Sequence, residues 1–122
     1  MIVKSTYGKI QPYSTKDGSI IRELFHPDIH GNKEQSLAEA SIPANSETLM
    51  HRHLKTEELY HITKGAGRMI LGDESVNVTA GDTICIFPGT PHKIRNTGKI
   101  PLKILCCCSP AYAHDDTELL EE

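Results

Sequence analysis

HRHLKTEELYHITKG, residues 51–65, sets two histidines two positions apart ahead of an acidic pair and a closing glycine. Successive side chains on a strand point to opposite faces, so His51 and His53 project to one side and their imidazoles can grip one ion together. The same alternation makes Glu57 and Glu58 face opposite ways, so only one of them can point inward. Tyr60 and Ile62 share the face of Glu58, and His61 takes the other. A second stretch, FPGTPHKIRN at residues 87–96, adds His92 behind a turn. Proline there fixes φ and glycine opens turn space, which aims His92 back across the fold.

Outward from these segments, the chain reads as β. Leu, Ile and Val recur in short runs bounded by Gly, Pro, Asn and Asp, with no sustained amphipathic helical period. Strands are predicted at Ser19–Phe25, Leu37–Ile42, Glu58–Thr63, Arg68–Leu71, Ser75–Val78, Thr83–Phe87, His92–Asn96 and Leu102–Cys107, a spacing suited to a sandwich or barrel. Gly72-Asp73 reads as a tight hairpin turn, and Ala80-Gly81-Asp82 and Asn96-Thr97-Gly98 as further reversals. Pro43-Ala44-Asn45 breaks the chain before the histidine strand. His26 to Gln35 reads as an exposed loop. The acidic end from Ser109 to Glu122 fits a short helix, a partner-clasping tail or a frayed terminus equally well.

The sequence has 122 residues, enough for one domain with a modest core. Thirteen Lys and Arg against sixteen Asp and Glu give a formal charge of −3, which disfavours nucleic acid and acidic membrane surfaces as partners. The N-terminal MIVKSTYGKI has no apolar signal core, and no window approaches the roughly 20 apolar residues of a membrane span, so a soluble cytoplasmic protein is expected. Three of the four cysteines are consecutive, Cys106, Cys107 and Cys108. Neighbouring cysteines pair only with strain, so reduced thiols acting as small buried apolar residues are expected in preference to a soft-metal or redox site.

Both segments resemble the two motifs of the cupin superfamily, G-x5-H-x-H-x3-4-E-x6-G and G-x5-P-x-G-x2-H-x3-N. His51, His53, Glu58 and Gly65 fit the first, within residues 46–65. Gly81, Gly89, His92 and Asn96 fit the second, within 81–96. Two positions depart: Ser46 stands where the first motif has glycine, and Phe87 where the second has its first proline. Neither removes a ligand. The resemblance implies a double-stranded β-helix, a jelly-roll barrel, spanning 1–122 as one domain and pairing into homodimers. It also selects Glu58 over Glu57, because six residues then precede Gly65, and it implies a metal site of His51, His53, Glu58 and His92.

Imidazole and carboxylate suit a divalent transition metal such as Fe, Mn, Zn, Ni, Co or Cu, and no thiolate is required. Four protein ligands would leave two positions of an octahedral ion for water, dioxygen or a ligand bound through two oxygens, as a hydroxy acid or diketone would be. The expected function is therefore a small metalloenzyme of dioxygenase, isomerase or lyase type acting on an oxygen-bearing small molecule. The alternative is a cupin that binds or senses such a ligand without chemistry. Tyr60 and Phe87 are the candidate ligand-facing aromatics, although each also fits ordinary packing. His26, His30, His61 and His114 are expected to stay outside the site. Asn96 is expected to cap the turn at Gly98, and Lys93 and Arg95 to face outward. There is no P-loop, dinucleotide fingerprint, nucleophile elbow or helix-turn-helix pattern.

Overall fold

The computed structural model describes Met1–Glu122. Eleven strands run in chain order: β1 (Tyr13–Ser14), β2 (Ile20–Phe25), β3 (Ser36–Ile42), β4 (His51–His53), β5 (Glu57–Lys64), β6 (Ala66–Leu71), β7 (Glu74–Thr79), β8 (Thr83–Ile86), β9 (His92–Asn96), β10 (Leu102–Ser109) and β11 (Thr117–Leu119). They form two sheets, β1-β2-β3-β10-β5-β8 and β11-β4-β9-β6-β7. Each strand pairing is antiparallel, and together the sheets make the jelly roll that the motifs implied.

All eight predicted strands are present with ends shifted by at most two residues, because their alternation is visible over four residues or more. Along β5, Glu58, Tyr60 and Ile62 are buried while Glu57, Leu59 and His61 are exposed. The Gly72-Asp73 turn joins Leu71 to its partner Glu74, with Gly72 at φ 60°. A positive φ at the first turn residue matches the right-handed twist of a hairpin. Ser46 is not the glycine's counterpart: six residues before His51 stands Asn45, which takes the left-handed conformation, at φ 62°, that the motif glycine would supply.

Two expectations need correction. The loop predicted from His26 to Gln35 contains a single helical turn, α1 (Pro27–His30). Proline opens it, the His26 ring accepts from the Asp28 N–H, and Gly31 closes it at φ 82°. One turn is too short to leave a periodic signature. The acidic tail is not frayed: a short 3-10 turn, His114–Asp116, leads into a strand that clasps this chain's own sheet and not a partner. Its residues Thr117, Glu118 and Leu119 pair with His53, Arg52 and His51, so β11 clasps the histidine strand.

The registers sort the interior into layers. Ile42 lies opposite Leu102, then Ala40 opposite Ile104 beside Ile62, then Ala38 opposite Cys106 beside Tyr60, then Ser36 opposite Cys108 beside Glu58. Bulk therefore falls from one end of the barrel to the other. The full end holds Ile62, Met69, Ile94, Leu102 and Ile104, all essentially without solvent exposure, while Ile86 lies beside Glu58 at the other end. The small end leaves a cavity beneath the histidines. Cys106 and Cys108 face inward and Cys107 outward, all as free thiols. On the outer face Leu37, Cys107, Leu59 and Cys85 form a row across four strands.

Gly67 is hemmed in by its neighbour strand β9 and by the facing sheet, since a Cβ there would lie 2.8 Å from the Arg95 carbonyl oxygen and 3.0 Å from Leu102. Gly67→Ala is predicted to destabilise the fold by about 1–3 kcal/mol through overpacking. Gly98→Ala meets its nearest atom at 3.6 Å and should change stability by less. Urea unfolding of both variants checks the contrast.

Candidate metal centre

His51 and His53 reach the interior from β4, Glu58 from β5, and His92 from β9 directly opposite His51. The turn before His92 is tied to the first motif: Gly89, at φ 81°, donates its N–H to the His53 carbonyl at 2.7 Å. A donor atom from each of His51, His53 and His92 lies within 4.8 Å of the others. All four side chains are buried, with His92 fully so.

The second ring nitrogen decides what these imidazoles can do. His51 Nδ1 donates to the Leu49 carbonyl at 2.7 Å, and His92 Nδ1 to the Thr90 carbonyl at 2.9 Å. A carbonyl only accepts, so each Nδ1 carries the proton. His53 Nδ1 lies 3.0 Å from Thr117 Oγ1, whose own hydrogen goes to the Ala113 carbonyl, so that ring also donates. Every Nε2 then presents a lone pair inward. Glu58 Oε1 lies 3.1 Å from His53 Nε2 and 3.8 Å from His92 Nε2, while Oε2 accepts from the Cys108 thiol at 3.3 Å.

Glu58 Oε1 and His92 Nε2 are buried without a hydrogen-bond partner. Oxygen and nitrogen lone pairs face one another with no proton between them, an arrangement that costs energy unless a cation joins them. The donor set therefore fits a divalent metal. Orientation of each ligand through its outer nitrogen is what such a centre requires.

Asp17 is the residue that reading the sequence missed. Its Oδ2 lies 3.5 Å from His51 Nε2, while Oδ1 accepts from Thr15 Oγ1, Ser19 Oγ and the Ser19 N–H. Burial pushes this carboxyl up, but attraction to His51 and those hydrogen bonds outweigh it and hold its pKa below the ordinary value. The signal was the turn Thr15-Lys16-Asp17-Gly18-Ser19, with Gly18 at φ 90°.

The cavity beneath the cluster leaves about 40 Å³ in which a water centre fits, room for a few water-sized groups. Its walls include Asp17, Ile21, Glu23, Ser36, Ala38, Ala40, Tyr60, Cys106, Cys108, Tyr112 and Thr117. Burial first, then the Glu58 charge, pushes Tyr60, Cys106 and Cys108 up, so all three stay protonated at neutral pH. Tyr60 lines the cavity as expected, with its ring edge-on to His92. Phe87 does not. It stands 64% exposed, outside the cavity wall and outside the core, because Ile84 and Ile86 take the inner face of β8 and the next residue falls on the outer side with Cys85.

His61 bonds Thr83 on the outside, and His26, His30 and His114 are engaged in the α1 turn and beside Tyr112, so none joins the centre. Asn96 caps the next turn through Gly98 N and also donates to the Ile42 and Ile100 carbonyls. Lys93 pairs outward with Glu47 and Glu121.

Burial, followed by repulsion from His51, lowers the His92 pKa to about 4 from an ordinary 6.5. Between those values the unfolded chain binds a proton that the folded chain refuses. Metal-free protein is thus predicted to hold this stability above pH 6.5 and lose it as pH falls toward 4, by about 3 kcal/mol. Urea titrations at several pH values check this, and His92→Gln should flatten the slope.

A family model described as Cupin domain matches residues 38–108. An uncharacterized protein of Methanocaldococcus jannaschii, MJ1618, is 58% identical over 120 residues, 98% of this chain and 96% of its own length. A crystal structure of a predicted oxalate decarboxylase from Thermotoga maritima superposes with a TM-score of 0.76 at 25% identity, covering 90% of this chain and 99% of that one. The Streptomyces nucleoside dehydratase Pac13 superposes at 0.79 with 16% identity, covering 99% and 92%, which shows a shared fold. The two-sheet barrel, the converging histidines and the match across both motifs make this chain a member of the cupin family.

Proposed function

We propose that the protein holds one divalent transition metal through His51, His53, Glu58 and His92 and acts as a small metalloenzyme on an oxygen-bearing small molecule. The reading rests above all on Glu58 Oε1 and His92 Nε2, two buried donor atoms without partners at the centre of a cluster whose three Nδ1 nitrogens are all engaged. When bound, such an ion supplies Lewis-acid polarisation of a ligand oxygen or, for Fe or Mn, redox chemistry. The chain itself contributes orientation and exclusion of water. Leu49, Thr90 and Thr117 fix the three rings, the Cys108 thiol steadies Glu58, and Tyr60 closes the wall beside His92. A cavity of about 40 Å³ suits a ligand of few atoms bound through two oxygens.

The predicted oxalate decarboxylase to which the chain is similar supports lyase chemistry among the dioxygenase, isomerase and lyase types. Elemental analysis after purification without chelator tests the metal. About one ion per chain is expected, with occupancy falling about tenfold or more in His51→Ala and His92→Ala but not in His61→Ala. Equal losses in all three variants would contradict the ligand set. Product formation or oxygen uptake by the loaded protein separates the enzyme from a binding module, which would retain its ligand unchanged.

Pairing of two copies is part of the same proposal. The exposed row of Leu37, Leu59 and Cys85 with Cys107 supports it, offering an apolar sheet face to a second copy. Light scattering should return twice the chain mass, and Leu59→Arg should return a monomer.

A further inference from the structure

Glu23 lines the cavity from β2, in the layer of Ala38, and is only 7% exposed. Tyr13 donates its hydroxyl to Glu23 Oε1 at 2.7 Å, while Oε2 is buried with no partner. The residue also borders an outer groove of about 400 Å³, which shares Glu23 and Tyr112 with the inner cavity. Glu23 therefore stands at the neck between solvent side and metal site. An unpartnered buried acceptor at such a place is a seat for a donor that arrives from outside.

The charges around it narrow what that donor can belong to. Asp17, Glu23 and Glu58 put three carboxylates into the cavity wall, and Asp28 and Asp115 border the groove. No Lys or Arg lines either space. Lys16, on the turn that carries Asp17, has its ammonium bound to the His114 and Thr117 carbonyls. A divalent ion offsets two of the three inner charges, leaving a net negative wall with no cationic side chain to balance a further anion.

We propose that this cavity selects a small uncharged ligand, a diol or hydroxy ketone of a few carbon atoms, that donates a hydroxyl hydrogen to Glu23 Oε2 and that carboxylate ligands are rejected. This rests on the metal reading above and departs in substrate from the predicted oxalate decarboxylase to which the chain is similar: it removes hydroxy acids and other carboxylates from the ligands that two open metal positions would otherwise admit.

The test uses zinc-loaded protein, whose metal content is measured first, titrated by calorimetry with dihydroxyacetone and with glycolate. Wild type should bind dihydroxyacetone at least about tenfold more tightly than glycolate, and Glu23→Gln should lower the dihydroxyacetone affinity about tenfold while narrowing the preference. Glu23→Gln should also raise the melting temperature of the ligand-free protein by a few degrees, because it removes an unpartnered buried charge. A carboxylate with only a structural role would lower it instead. Tighter binding of glycolate, or affinities that Glu23→Gln leaves unchanged, with full zinc occupancy would overturn this inference alone. Failure to load zinc would overturn the metal reading and this inference with it.

Discussion

Three imidazoles in this barrel carry their protons on the outer nitrogen, and the rest of the site follows from that constraint. Leu49 and Thr90 supply carbonyls and Thr117 a hydroxyl oxygen, each an acceptor, so no ring is free to turn its N–H inward. The inner nitrogens then crowd lone pairs against Glu58 Oε1 in a space without water's dielectric. Such an arrangement costs stability in the metal-free protein. It persists because the surrounding sheets fix the histidines by register and not by their mutual attraction.

The barrel serves this site through graded side-chain volume. At the full end isoleucine, leucine and methionine fill the interior, while Ala38, Ala40, Ser36, Cys106 and Cys108 hold open the other end. The three consecutive cysteines are explained by this geometry: two are small inward residues, one of which hydrogen-bonds Glu58, and the third faces out. Burial keeps the inward thiols protonated in the metal-free protein. The C-terminal strand lays Thr117 against His53, which couples the last residues of the chain to the orientation of an imidazole near its middle.

Much of this was legible in the letters, for stated physical reasons. The alternation of β5 is long enough to separate Glu58, Tyr60 and Ile62 from Glu57 and His61, and the structure buries the first set. What escaped depends on pairing partners that no local pattern reveals. The strand β11 is three residues of mixed polarity, and only its register with β4 makes it a strand. Asp17 and Glu23 flank an unremarkable run, Gly18-Ser19-Ile20-Ile21-Arg22, and their place in the cavity follows from how β2 lies on β3. Phe87 was misplaced because its aromatic ring was given weight over the alternation of β8, which turns Ile86 inward and the next residue outward.

X-ray absorption at the edge of the bound metal tests the central claim most directly. The account predicts a first coordination shell of nitrogen and oxygen only, with the multiple-scattering pattern of three imidazoles and no sulfur. A shell containing sulfur, or one built of water oxygens without imidazole scattering, would contradict it.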